Sequence, residues 1–123
     1  MTTTLYAVTL DCSNAVTLAE FWARVLERSV DEGATEKFAA IGLQDPPDRR
    51  PHWMFIKVPE GKSAKNRMHP DLITTNLEVE VRRLFELGAQ QKAEYKEDGA
   101  HWVTLVDPEG NEFDLIAQDP TAS

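Results

Sequence analysis

Apolar and polar positions change period along the chain, and each change marks an element. From Leu5 to Leu10 the positions alternate loosely and include the strand formers Tyr6, Val8 and Thr9, which predicts a strand ending near Asp11. Ser13 and Asn14 then make a turn. Leu18, Phe21, Trp22, Val25 and Leu26 follow at i, i+3, i+4, i+7 and i+8, the apolar stripe of one helix. Thr17 and Glu20 have capping-box spacing, and Ser13 or Asn14 is an equal candidate for the cap. Short strands are predicted over Ser29–Glu32 and Lys37–Gln44. Asp45–Pro51 holds three prolines and reads as a loop. His52–Val58 is rich in aromatic and β-branched residues and reads as a strand. Gly61–Asn66 is small and polar, a linker.

The pattern then restarts. Met68–Thr74 reads as a strand. Thr75 and Glu78 again have capping-box spacing, Leu77, Val81, Leu84 and Phe85 repeat the helical stripe, and Gly88 supplies the stop. Strands are predicted over Ala89–Tyr95, His101–Val106 and Glu112–Ala117, with turns at Glu97-Asp98-Gly99 and Asp107-Pro108-Glu109-Gly110. The closing residues read as a frayed tail. The order is βαβββ followed by βαβββ, which predicts an α+β fold with mixed sheets. The modules run from about 5 to 60 and from about 67 to 117, joined by a linker at about 61 to 66. Neither half is expected to hide a core alone, so residues 1–123 read as one domain.

Composition narrows the class. Hydrophobic residues make up 41% and charged residues 28%, a globular balance that excludes extended disorder, collagen and coiled coil. Cys12 is the one cysteine, so an intrachain disulfide is excluded and a reducing, cytoplasmic setting is expected. The net charge of −8 repels phosphate backbones and argues against nucleic acid. No apolar run approaches the roughly 20 residues that cross a bilayer, and the first residues do not read as a signal peptide. Arg49, Arg50, Lys57, Lys62, Lys65 and Arg67 face only Glu60 in sequence, a strip that reads either as a solvated loop or as an attractor for a small anion.

Candidate chemistry gathers in the second half. Side chains alternate across a strand, so His69 and Asp71 share a face, as do Glu112 and Asp114, while Phe113 and Leu115 turn to the core. Ala7, Thr9 and Asp11 form the matching set in the first strand. One imidazole with several carboxylates suits a divalent metal, or a metal-free acid–base pair, or a plain wet sheet surface. His52 and His101 read as surface or hinge residues. Trp22 belongs to the helix stripe. Trp53 with Phe55, and Trp102, read either as anchors for an aromatic or anionic small molecule, or as core, or as a dimer interface. Nothing near Cys12 lowers its pKa, which argues against a nucleophile.

Several stretches together carry a family resemblance. They are Val8-Thr9-Leu10-Asp11-Cys12, the helix piece Leu18-Ala19-Glu20-Phe21-Trp22, Lys65-Asn66-Arg67-Met68-His69-Pro70-Asp71-Leu72, the stop Leu87-Gly88-Ala89, and Asp107-Pro108-Glu109-Gly110-Asn111-Glu112-Phe113-Asp114. From about residue 5 to 117 the chain resembles the glyoxalase, bleomycin-resistance and extradiol-dioxygenase group, the vicinal oxygen chelate superfamily, in its glyoxalase-like domain branch. The resemblance implies paired βαβββ modules forming a cupped mixed sheet around a small-molecule site, often in a homodimer. It implies one divalent metal held from the first and last strands of each module. His69 then matches the histidine that opens the second module, and Asp114 the acidic ligand of the last strand. Ala7 falls where the first ligand belongs and cannot bind a metal. In the last strand of the first module only His52 could serve. Glu27 stands where a glycine commonly ends the first helix.

Two functions follow from the resemblance. One is a small-molecule-binding protein with a degenerate metal site, anchored by Trp53, Phe55 and Trp102. The other is a lyase or isomerase that uses His69 with Asp114 or Asp71, with or without a metal.

Overall fold

The computed structural model describes residues 2–118; the predicted tail beyond them lies outside that range. The chain forms two compact units, Met1–Gly61 and Lys62–Ser123. Each carries one helix and one mixed sheet, so the fold is α+β.

The first unit contains β1 (Ala7–Cys12), α1 (Ala15–Leu26), β2 (Phe38–Ile41), a 3-10 turn at Pro47–Arg49 and β3 (His52–Lys57). Its sheet has the order β1-β3-β2, with β1 parallel and β2 antiparallel to β3. The strand predicted over Ser29–Glu32 is reduced to one bridge, Val30 to Ile41. Its last residues turn away because Asp31 accepts hydrogen bonds from the Gly42 and Leu43 N–H groups at 3.0 and 2.9 Å. Asn14 caps α1 through the Thr17 N–H at 3.1 Å, so the Asx cap prevails over the capping box. The α1 stripe buries Leu18, Phe21, Trp22 and Val25, and Trp22 stacks on Trp53 with ring centroids 5.1 Å apart.

The second unit contains β4 (Asp71–Thr74), α2 (Leu77–Leu87), β5 (Gln90–Glu97), β6 (Ala100–Val106) and β7 (Glu112–Ala117). Its sheet order is β4-β7-β6-β5, with β4 parallel to β7 and the other pairs antiparallel. Leu84, Val103, Leu105, Phe113 and Leu115 form its core. Asn76, and not Thr75, caps α2 by accepting from the Val79 N–H at 3.2 Å. Gly88, at φ 120, ends the helix as predicted. The Asp107 carboxylate closes the last turn by accepting from the N–H groups of Glu109 and Asn111, both at 2.9 Å.

Candidate functional site

β4 and β7 run side by side with Asp71 opposite Asp114, and β6 sets Thr104 opposite Asp114. Alternation therefore lines Asp71, Asp114 and Thr104 in a row on the face opposite the core residues Phe113 and Leu115. His69 comes two residues before β4, which starts at Asp71 and not at Met68. Its Nδ1 lies 2.8 Å from Asp71 Oδ1 and 3.8 Å from Asp114 Oδ2. Thr104 Oγ1 donates to Asp114 Oδ1 at 2.6 Å, which fixes that carboxylate and leaves its other oxygen toward His69. The Asp114 N–H donates to the Pro70 carbonyl at 3.0 Å, tying the residue after His69 to β7. One ligand atom each from His69, Asp71 and Asp114 falls within a 4.8 Å group. Their side chains are 37, 52 and 19% exposed, so the group opens outward from Asp114.

This donor set fits a divalent ion. An imidazole nitrogen and two carboxylate oxygens are ordinary ligands for zinc, manganese or iron. Neighbouring ligands on such an ion stand about 3–3.4 Å apart at bond lengths near 2.1 Å, between the 2.8 and 3.8 Å spacings from His69. The 2.8 Å approach of Nδ1 to Asp71 Oδ1 sets a carboxylate directly against the imidazole, an ion pair whenever the ring is protonated.

Among the described residues, the first unit has no matching set. Ala7 stands seven residues before the Asn14 cap, as His69 stands seven before the Asn76 cap. Thr9 then corresponds to Asp71, and its partner across the sheet is Met54. Met54, and not His52, therefore holds the position that Asp114 holds in the second unit. A thioether is a soft ligand, poorly suited to a hard divalent ion.

The aromatic candidates separate. Phe55 is fully buried and Trp53 packs on Trp22, so both belong to the core of the first unit and not to an open anchor surface. Their alternation is right, but α1 covers that face. Trp102 lies on the same face as Thr104 and Asp114, half-buried, and stacks on Tyr95 at 5.1 Å. Sequence reasoning missed Tyr95, whose signal is only its register opposite Trp102.

One other expectation needs correction. His52 is 1% exposed, held edge-on against Tyr6, and is not a surface residue. His101 pairs with Glu94 at 2.6 Å. Cys12 is buried, with its thiol 3.5 Å from the Ile56 carbonyl. The basic strip is divided between the two units. Arg49, Arg50 and Lys57 belong to the first unit and Lys62, Lys65 and Arg67 to the second. Lys57 pairs with Glu36 at 3.6 Å and Lys62 with Glu112 at 3.0 Å. Glu112 shares the face of Asp114 but is buried, 3% exposed. Burial by itself raises the pKa of its carboxyl. Hydrogen bonds from Lys62 and the Asn66 N–H outweigh burial and hold the pKa below 4.5.

The sequence model of the glyoxalase-like domain family matches residues 7–116. The chain belongs to the glyoxalase-like domain family. Solved structures agree on the fold of this glyoxalase-like domain. A glyoxalase/bleomycin resistance protein/dioxygenase family enzyme from Burkholderia phytofirmans PsJN is 17% identical, with a TM-score of 0.74 over 94% of this chain and 98% of that one. A mutant of the fosfomycin resistance protein FosX from Listeria monocytogenes, complexed with Mn(II) and 1S,2S-dihydroxypropylphosphonic acid, is 13% identical, with a TM-score of 0.75 over 98% and 94%. A glyoxalase/bleomycin resistance protein/dioxygenase from Nocardioides is 12% identical, with a TM-score of 0.71 over 100% and 88%. A search of curated proteins finds no match. Among the described residues no helix is long and apolar enough to cross a membrane.

Proposed function

We propose that this glyoxalase-like domain binds a small oxygen-bearing molecule over His69, Asp71 and Asp114, through a degenerate metal site supplied by the second unit. The convergence of the three donors within 4.8 Å carries this reading. His69, Asp71 and Asp114 would hold the ion, and Thr104 would keep Asp114 oriented toward it. A divalent ion, when bound, supplies positive charge that holds two neighbouring ligand oxygens and stabilises negative charge developing there. Trp102, stacked on Tyr95 on the same face, would meet the apolar part of the molecule. With three protein donors, two of them exposed, the ion would be held weakly.

The Mn(II) and the dihydroxy phosphonic acid of the Listeria protein supply the probes. Small 1,2-diol phosphonates and 2-hydroxy carboxylates should quench tryptophan fluorescence in a Mn(II)-dependent way. The response should vanish in His69→Ala. Equal binding by His69→Ala would remove this site from the function.

The 2.8 Å contact from His69 to Asp71 favours a second reading, a lyase or isomerase. Asp71 would hold the Nδ1 proton, and His69 Nε2 would take a proton from the substrate. Turnover that survives metal chelation but is lost in His69→Ala would select this reading.

A further inference from the structure

We propose that Glu112 is a positioning residue that pins the segment carrying His69 and so sets the imidazole against Asp71 and Asp114; this deepens the reading of that cluster as a binding site and rests on it. His69 lies outside any strand, in a stretch between Gly61 and β4 that has no regular structure of its own. Something else must fix it, and β7 does so at two points. At the near end the Asp114 N–H donates to the Pro70 carbonyl at 3.0 Å. At the far end the Asn66 N–H donates to Glu112 Oε1 at 3.2 Å, with Oε2 at 3.4 Å. Asn66 and Pro70 bracket His69, and Glu112 and Asp114 are two residues apart on one face of one strand. The short segment is thus clamped at both ends by a single rigid element.

The Glu112 carboxylate is itself held for this task. It is buried, and a buried carboxylate needs partners. Lys62 Nζ lies 3.0 Å from Oε1 and Lys92 Nζ 3.9 Å from Oε2. Lys62 also donates to the Ala64 carbonyl, which folds the start of the segment back on itself. Lys92 sits where the β5 register shifts between Gln91 and Ala93. Such a bulge re-aims a side chain, here to within reach of Glu112. These residues line a cavity of about 360 Å³ with Lys65 and Glu109 beside them. A surface glutamate placed for solubility would have none of this support.

The test compares wild type with Glu112→Ala and Glu112→Gln in the full chain, by NMR and by Mn(II) titration. In Glu112→Ala the Asn66 amide should exchange about tenfold faster. The His69 ring resonances should shift or broaden, and Mn(II) affinity should fall about tenfold. The Val103 and Leu115 amides should keep their wild-type protection. Glu112→Gln keeps an acceptor for Asn66 and should restore most of the His69 signal; it also serves if Glu112→Ala does not fold. Unchanged His69 resonances in folded Glu112→Ala would overturn the proposal, as would a Glu112→Gln variant that folds but loses the His69 signal, or equal loss of protection across the core. If wild type binds no Mn(II) but the His69 resonances respond, the metal reading falls and the positioning role stands.

Discussion

Glu27 ends α1 at φ 54 and ψ 47, in the left-handed region. A residue with a Cβ is strained there by about 1–2 kcal/mol, while glycine is free to adopt it at an entropic cost nearer 0.5–1 kcal/mol. Glu27→Gly should therefore raise stability by about 0.5–1 kcal/mol, read as a higher urea midpoint. A lower midpoint would show that the left-handed turn is not strained. At the same scale, the family resemblance matches His69 and Asp114 to candidate ligand positions, and the Asp107–Asn111 turn fixes the frame of the last strand. Trp53 and Phe55 could not be placed. Alternation puts them on one face together but does not say whether α1 covers that face, and Trp22 settles it by stacking. His69 is partly exposed and lies before β4, so His69→Ala should change stability by no more than about 0.5 kcal/mol. A large loss of thermal stability would make it a structural residue instead.

Helix periods are legible in the sequence; it leaves the start of α1 open between Thr17, Ser13 and Asn14, and its capping-box spacing misplaces the start of α2. Both helices offer a capping-box pair, and both use an asparagine instead, because its side-chain amide oxygen reaches the third N–H beyond it. Asn76→Ala should cost about 1 kcal/mol in chemical denaturation; no change would place the cap elsewhere. Inside α2, Arg83 holds the Glu80 carboxylate at 2.8 Å through two nitrogens. That hydrogen bond, opposed by partial burial and aided by the guanidinium charge, lowers the Glu80 pKa below 4.5. A lowered carboxyl pKa adds stability that is present above 4.5 and lost as pH falls through the folded-state value. Glu80→Gln should thus cost about 0.5 kcal/mol at pH 7 and nothing once both states are protonated. A cost independent of pH would deny the ion pair any role. The weak strand at Ser29–Glu32 failed for a related reason, since Asp31 spends both carboxylate oxygens on backbone N–H groups and turns the chain away.

Across the molecule the two units follow one plan. In each, the first strand runs parallel to the last, and an asparagine caps the helix between them. Their chemistry differs at matched positions, His69 and Asp114 in one against Ala7 and Met54 in the other. The family resemblance exposes the missing donor at Ala7, by counting back from Phe21-Trp22. The sequence hides the missing donor at Met54, because that requires the register between β1 and β3. It also hides Glu112, whose partners Lys62 and Asn66 lie far back in the chain. The proposed function requires that His69, Asp71 and Asp114 of the second unit bind a cation. Titrating the purified, metal-stripped protein with Mn(II), followed by electron paramagnetic resonance, tests it most directly. One Mn(II) per chain in wild type, with affinity at least about tenfold lower in Asp114→Asn, is the predicted result. No bound Mn(II), or equal affinity in the variant, would contradict it.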